Sequence, residues 1–347
     1  MTLETPIQAA LAASSFLLSL LVTRWLASRG PDRGPVDYPN ERSLHSTPVP
    51  RSGGLAVLLG LGAPLLLAAA HGDSAQELRW LGFALLLVAG VAYLDDLGDV
   101  PRWVRLIVHC AAALVLMAGG LTWSVLEIPG WAQPFSMPVT VLLSLIYVVW
   151  LINLYNFMDG MDGFAGGMAL FGFSAFAILG WIGDEPIFAL TACCVAMAAA
   201  GFLASNFPPA RIFLGDSGSS SLGLLVAAFS LWGAERGIFP LWVAWVAFSP
   251  FILDATWTLL ARAVRREAIW KPHRSHHYQR LVLAGWSHRK TVLHSYLVMA
   301  ACAASAVAAP GLQPHDQWLL IGAWAVIYGL VHLKVRLVER TTAAGLR

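Results

Sequence analysis

Long apolar runs interrupt this chain of 347 residues so often that no water-soluble fold can hide them all. Runs of roughly 17 to 25 residues, the length that crosses a bilayer, are centred near Leu17, Leu59, Leu86, Leu114, Leu145, Phe173, Val195, Val226, Val246, Val298 and Val326. The pattern predicts an all-α, polytopic integral membrane protein with about eleven transmembrane helices, one domain over residues 1–347. The run at Val226 is the weakest, being Gly- and Ser-rich at its start. Hydrophobic residues make up 58% of the chain and charged ones 12%, which excludes disorder and a coiled coil; a net charge of +2 excludes a nucleic-acid binder. Cys110, Cys193, Cys194 and Cys302 lie in apolar runs without metal-like spacing. Met1 to Gln8 carries no Lys or Arg, so the first run is expected to stay as a helix rather than be removed as a leader.

Basic residues orient the bundle, because loops on the cytoplasmic side retain Lys and Arg. With the N-terminus outside and the C-terminus cytoplasmic, 20 of the 22 basic residues fall inside, and only Arg79 and Arg236 fall outside. The inner loops, about 27–53, 95–105, 153–163, 205–219 and 261–291, also hold nearly all the unusual polar sequence. The outer connections are short or bland. A secondary transporter for a phosphorylated metabolite is the competing class, but transporters place substrate near the midplane and often show repeats. Here the polar groups lie at one face and no repeat is visible.

Four inner-face clusters carry chemistry. Asp95 and Asp96 end an apolar run side by side, and their repulsion asks for a cation or a proton. In NLYNFMDGMDG, Asn153, Asn156 and Asp159 recur at steps of three and share one face of a helical turn, with Asp162 beyond them. Such oxygen-rich sets suit Mg²⁺, which takes one or two carboxylates plus phosphate oxygens and keeps several waters. NFPPARIFLGDSGS brings Asp216 to the start of a span, where the following N–H groups suit phosphate or a simple helix cap. His273, His276 and His277 stand with Arg274 and Arg280, a set better matched to an anion such as a diphosphate than to zinc. Asp254 is a carboxylate inside a span, costly there and a functional candidate for that reason, whereas His109, His294 and His332 read as packing histidines.

Together these motifs resemble the polyprenyl-phosphate N-acetylhexosamine-1-phosphate transferases, which include the muramoyl-pentapeptide phosphotransferase. The resemblance extends from Arg42 to about Leu293, on RSLHSTPVPRSGG, Asp95-Asp96, NLYNFMDGMDGFAGG, NFPPARIFLGDSGS, Pro250 with Asp254, and HRSHHYQRL followed by GWSHRKTVL. It implies transfer of a sugar 1-phosphate from a UDP-sugar to undecaprenyl phosphate with release of UMP. It also implies dependence on Mg²⁺, with Mn²⁺ as a substitute, and an active site on the cytoplasmic face of a bacterial inner membrane. The partners expected are undecaprenyl phosphate, the UDP-sugar and membrane lipids; a homodimer is left open.

Carried over by position, the resemblance makes Asp216 the metal-binding aspartate, with Asn156 beside it. Asp95 and Asp96 match the pair to which acceptor activation is assigned, and Asp159 belongs to the same catalytic face. Phe213 matches an aromatic that stacks on uracil, Asp162 a base contact and Arg105 a diphosphate contact. His273, Arg274 and His276 match a loop at the diphosphate and sugar. The common pattern reads about HLHHRL where this chain has HHYQRL from His276 to Leu281, a departure that looks like the O-antigen branch handling 6-deoxy-N-acetyl sugars.

Overall fold

A computed structural model describes residues 5–30, 34–39, 47–70, 75–267 and 273–345. Thirteen α-helices occur among them: α1 (Thr5–Ser28), α2 (Gly53–Ala70), α3 (Ala75–Leu97), α4 (Arg102–Ala118), α5 (Met137–Met158), α6 (Phe164–Ile182), α7 (Pro186–Asn206), α8 (Gly215–Glu235), α9 (Leu241–Ala247), α10 (Ser249–Val264), α11 (His277–Leu283), α12 (His288–Ala308) and α13 (Pro314–Gly345). Two small antiparallel hairpins pair β1 (Val36–Asp37) with β2 (Val49–Pro50) and β3 (Val125–Ile128) with β4 (Trp131–Pro134). The second hairpin occupies a connection that the sequence left without structure.

All eleven expected span centres fall inside helices. Seven helices, or eight with one bent pair, are long and apolar enough to cross a membrane among the described residues. The shortfall from eleven has local causes. The helix α4 has 17 residues and opens on Arg102 and Arg105. The helix α8 is the centre of the bundle, with every residue from Ser217 to Gly233 buried. Facing helices instead of lipid, it tolerates small polar residues, as close helix packing in membranes requires. At Gly223, for example, a methyl group would come within 2.6 Å of the Leu151 carbonyl.

The run centred on Val246 is not one straight span. It breaks at Phe248 into α9 and α10, which meet at 86°. Pro250 cannot donate to the preceding turn, while Ser249 Oγ donates to Val246 O at 2.7 Å. The bend is packed from behind by Phe173 and Phe176, which contact Phe248. Peripheral helices turn large apolar side chains outward, among them Leu66, Leu86 and Leu297, each more than 70% exposed. An outward apolar surface around a buried, small-residue centre is the arrangement of a multi-pass membrane protein.

Candidate active site

The candidate residues converge at one end of the bundle, where the ends of α3, α5 and α7 meet the starts of α4, α6 and α8. A cavity of about 430 Å³ opens there, lined by Asp95, Arg105, Asn156, Asp216, His273 and His276, with Arg102, His109 and Asn153 also in its wall. Leu106, Phe157 and Leu259 form an apolar flank. Of the eleven residues expected from the sequence, Asp96, Asp159, Asp162, Phe213 and Arg274 do not line this cavity. Arg42 to Ser46 of the RSLHSTPVPRSGG motif, and residues 268–272, lie outside the described residues.

Successive residues on a helix point about 100° apart, and Asp95 and Asp96 accordingly do different things. Asp96 is buried and accepts the N–H groups of Asp216 and Ser217, both at 2.9 Å, so its carboxylate caps the start of α8. Arg51 donates to the Asp95 and Asp96 carbonyls at 3.2 and 2.9 Å, and its Nε lies 3.6 Å from Asp96 Oδ1. Gly215 must be glycine here: its φ is +76°, and a Cβ would enter the space between the Arg51 carbonyl and the Asp96 carboxylate. Asp95 instead accepts the Val100 N–H at 2.9 Å and pairs closely with Arg105, which also reaches to 3.8 Å from Asp216.

Asn156 Nδ2 donates to Asp216 Oδ1 at 3.0 Å and to Ser219 Oγ at 2.9 Å. That commits the amide nitrogen and leaves its carbonyl oxygen as the atom that can coordinate. Asp159 follows one turn later at the end of α5. Burial, and then Asp216, Asp96 and Asp37, push its carboxyl up to about 8. A further negative charge beside these carboxylates is thus unfavourable until a cation offsets it, which suits a divalent cation.

Asp162 ties loops together. It accepts the Ala210 N–H at 3.0 Å and faces His288 Nδ1 at 3.3 Å. Burial alone would raise its carboxyl, but His288 and the Ala210 N–H outweigh it and hold it below its usual value. Asn206, which sequence reasoning quoted only as part of a motif, accepts the Gly163 N–H at 2.9 Å and donates to Ile212 O at 2.8 Å. Phe213 is held through its backbone, donating to Pro50 O at 2.7 Å and accepting from Gly53 N–H at 2.9 Å. Gly54 N–H reaches Leu214 O at 2.7 Å. The first turn of α2 therefore supports the loop before Asp216, and the Arg51-Ser-Gly-Gly sequence makes that close approach possible.

Opposite, His273 and His276 lie with ring centres 5.0 Å apart, while Arg274 is exposed. Burial, then His276 and Arg262, lower His273 to about 4, so the ring is neutral at pH 7. Its Nδ1 faces the Ser275 N–H at 3.4 Å, which leaves Nε2–H as a donor. His109, read from the sequence as packing, is buried yet forms part of the cavity wall, its Nδ1 3.4 Å from Asn153 Nδ2.

Comparison with known proteins agrees with this geometry. The profile of Glycosyl transferase family 4 matches residues 78–234, the stretch that contains Asp95 through Asp216. The chain is 33% identical over 341 residues to a decaprenyl-phosphate N-acetylglucosaminephosphotransferase of Mycobacterium tuberculosis, covering 89% of this chain and 83% of that protein. It is 29% identical over 287 residues to a probable undecaprenyl-phosphate N-acetylglucosaminyl 1-phosphate transferase of Bacillus subtilis, covering 82% and 80%. An undecaprenyl-phosphate alpha-N-acetylglucosaminyl 1-phosphate transferase of Escherichia coli K12 is 26% identical over 89% of this chain and 85% of its own length. With its polar motifs gathered around one cavity and relatives matched along most of its length, the chain belongs to glycosyl transferase family 4, among the polyprenyl-phosphate N-acetylhexosamine-1-phosphate transferases.

Proposed function

We propose that the protein transfers an N-acetylhexosamine 1-phosphate from a UDP-sugar to undecaprenyl phosphate, releasing UMP, at the cytoplasmic face of a bacterial inner membrane. The observation that carries this reading is one cavity with Asp216, Asn156, Arg105 and two histidines on its polar side and Leu106, Phe157 and Leu259 on its apolar side. A diphosphate fits the first and a polyprenyl chain the second. The relatives' names favour N-acetylglucosamine, while the HRSHHYQRL departure favours a 6-deoxy sugar. Eleven spans, with the active end inside, follow from the basic-residue distribution. A transporter gains no support, since the polar residues converge at one end of the bundle.

Asp216 and the Asn156 carbonyl oxygen are the residues that would hold Mg²⁺. When bound, the ion supplies charge that stabilises the diphosphate as UMP departs. Arg105, with Arg102 beside it, offers fixed positive charge to the same phosphates. The neutral His273 offers an N–H from the opposite wall. An oxygen of the acceptor phosphate attacks the β-phosphorus in line, the bond to the α-phosphate breaks, and UMP leaves. A phosphomonoester has its second pKa near about 6 and is already largely ionised at neutral pH, so no strong base is needed. Asp95 fits this economy: engaged by Arg105 and the Val100 N–H, it aims the arginine and orients the incoming phosphate. Phe213 and Asp162 belong to the loops at the uracil end, where an aromatic face stacks on a base. Incubating purified protein with undecaprenyl phosphate and a panel of UDP-sugars tests the reading. UMP release that needs both substrates is expected, and none with any donor would reject it.

A further inference from the structure

Asp254 lies on α10 just beyond the 86° bend, and its carboxylate is almost enclosed, with 10% of the side chain exposed. It is fully engaged. The His277 N–H lies 3.0 Å from both carboxylate oxygens, His277 Nδ1 lies 2.7 Å from Oδ1, and Thr258 Oγ1 donates at 3.1 Å. On its other side, His277 Nε2 meets His332 Nδ1 of α13 at 2.8 Å. Neutral rings satisfy this chain in one direction: His332 Nδ1–H donates to His277 Nε2, and His277 Nδ1–H donates to Asp254. One turn further along α11, Arg280 makes a two-pronged bond to Glu339 of α13, at 2.7 and 2.6 Å. The start of α11 is therefore fixed to α10 through Asp254 and to α13 through His332 and Glu339.

Immediately before this anchor stands His276, 2% exposed and part of the cavity wall with His273. Its Nδ1 is buried, has no hydrogen-bond partner and lies 3.6 Å from Asp254 Oδ1. The ring is thus held by where the backbone enters α11, by the facing Asp254 carboxylate and by stacking on Tyr278 at 5.9 Å. The common pattern places Leu where this chain has His277. A leucine there would keep the backbone N–H to Asp254 but could make neither the ring bond to Asp254 nor the one to His332.

We propose that Asp254 and His277, backed by His332, are positioning residues for the donor: they lock the first turn of α11 and so aim His273 and His276 at the sugar diphosphate. The proposal rests on the function given above and extends the site to α13, which lies outside the matched family segment. Because the anchor acts only on the histidine wall, its loss moves donor affinity and spares the acceptor side at Asp95.

Full-length Asp254→Asn, His332→Ala and His332→Gln proteins, compared with wild type, provide the test through UMP release and through UDP binding followed by calorimetry. Asp254→Asn is expected to raise the donor KM about tenfold with kcat and the acceptor KM within about twofold, the pattern of lost binding without a lost transition-state contact. His332→Ala should shift the donor KM in the same direction, and His332→Gln, whose amide N–H still reaches His277, should restore it. His332 sits on the partly exposed face of α13, so its variants give an answer even if Asp254→Asn fails to fold. An unchanged donor KM and UDP affinity in the folded variants overturns the proposal, as does an equal loss in kcat and both KM values. Absence of transfer by the wild type counts against the function instead, and UDP affinity still reads the positioning role separately.

Discussion

Neighbouring aspartates with separate partners should fail in separate ways. In Asp96→Asn, one side-chain oxygen still accepts a backbone N–H, but the other becomes an NH₂ that faces a second N–H donor at the start of α8. Two hydrogen bonds to a buried carboxylate are affected, both 2.9 Å long, along with the ion pair to Arg51. Hydrogen bonds to charged groups contribute about 1.5–3 kcal/mol each, and one of the two survives in weakened form, so the expected loss is about 2–4 kcal/mol. In Asp95→Asn, Oδ1 keeps the Val100 N–H and only the partly exposed Arg105 pair weakens, an effect of about 1 kcal/mol or less on stability. Thermal unfolding of the two variants in the same detergent, beside UMP release under saturating substrates, separates them. Asp96→Asn should melt clearly below wild type, and Asp95→Asn should melt near wild type with a reduced kcat. A wild-type melting temperature for Asp96→Asn, or a larger stability loss for Asp95→Asn, would refute the division of labour between them.

Asp216→Asn should lower kcat by at least about 10³, since a charge next to the metal acts on the diphosphate with several kcal/mol; near-normal turnover at limiting Mg²⁺ would remove it from the metal site. Phe213→Ala should weaken UDP binding by calorimetry roughly ten- to hundredfold, a stacking contribution of about 1–3 kcal/mol, with the acceptor KM little changed. Gly215→Ala should cost both stability and activity, because the left-handed φ of +76° and the Asp96 carboxylate leave no place for a methyl; a fully active Ala variant would contradict this. Asp159 has its carboxyl raised to about 8 from the ordinary 3.8, so the folded chain holds a proton there that the unfolded chain has released. Metal-free protein should therefore lose stability as pH rises between those values, and Mg²⁺ should raise the melting temperature more at pH 8 than at pH 6. An Mg²⁺ effect independent of pH, or unchanged in Asp159→Asn, would dismiss the carboxyl as its source.

Where the helices lie along the chain was legible because apolar length is a local property, and all eleven centres fall inside helices; so was the gathering of most polar motifs, which sit in connections that meet at one end of the bundle. Contacts between distant segments were not. Nothing local in Asp162 announces that His288, on the far side of six helices in sequence, and the Ala210 N–H hold it. Adjacent Asp95 and Asp96 look equivalent in sequence, and the helical rotation between them sends one to Arg105 and the other to α8. The break at Phe248 hid in a continuous apolar run, with Pro250 as its single sequence sign. His109 passed for a packing histidine because its neighbours, Asn153 and the cavity, come from another helix. The low hydropathy at the start of α8 looked like a weak span and instead marks the most buried helix of the bundle.

The central claim is that the phosphate, and not only the sugar, moves to the lipid. Supplying UDP-N-acetylglucosamine labelled with ³²P at its β-phosphate, together with undecaprenyl phosphate and Mg²⁺, follows that atom directly, and a UDP-linked 6-deoxy-N-acetyl sugar labelled in the same way covers the other donor. Label recovered in the lipid product, with unlabelled UMP released in equal amount and both lost in Asp216→Asn, is the predicted result. Label recovered in free UDP, with the sugar alone on the lipid, would contradict the account.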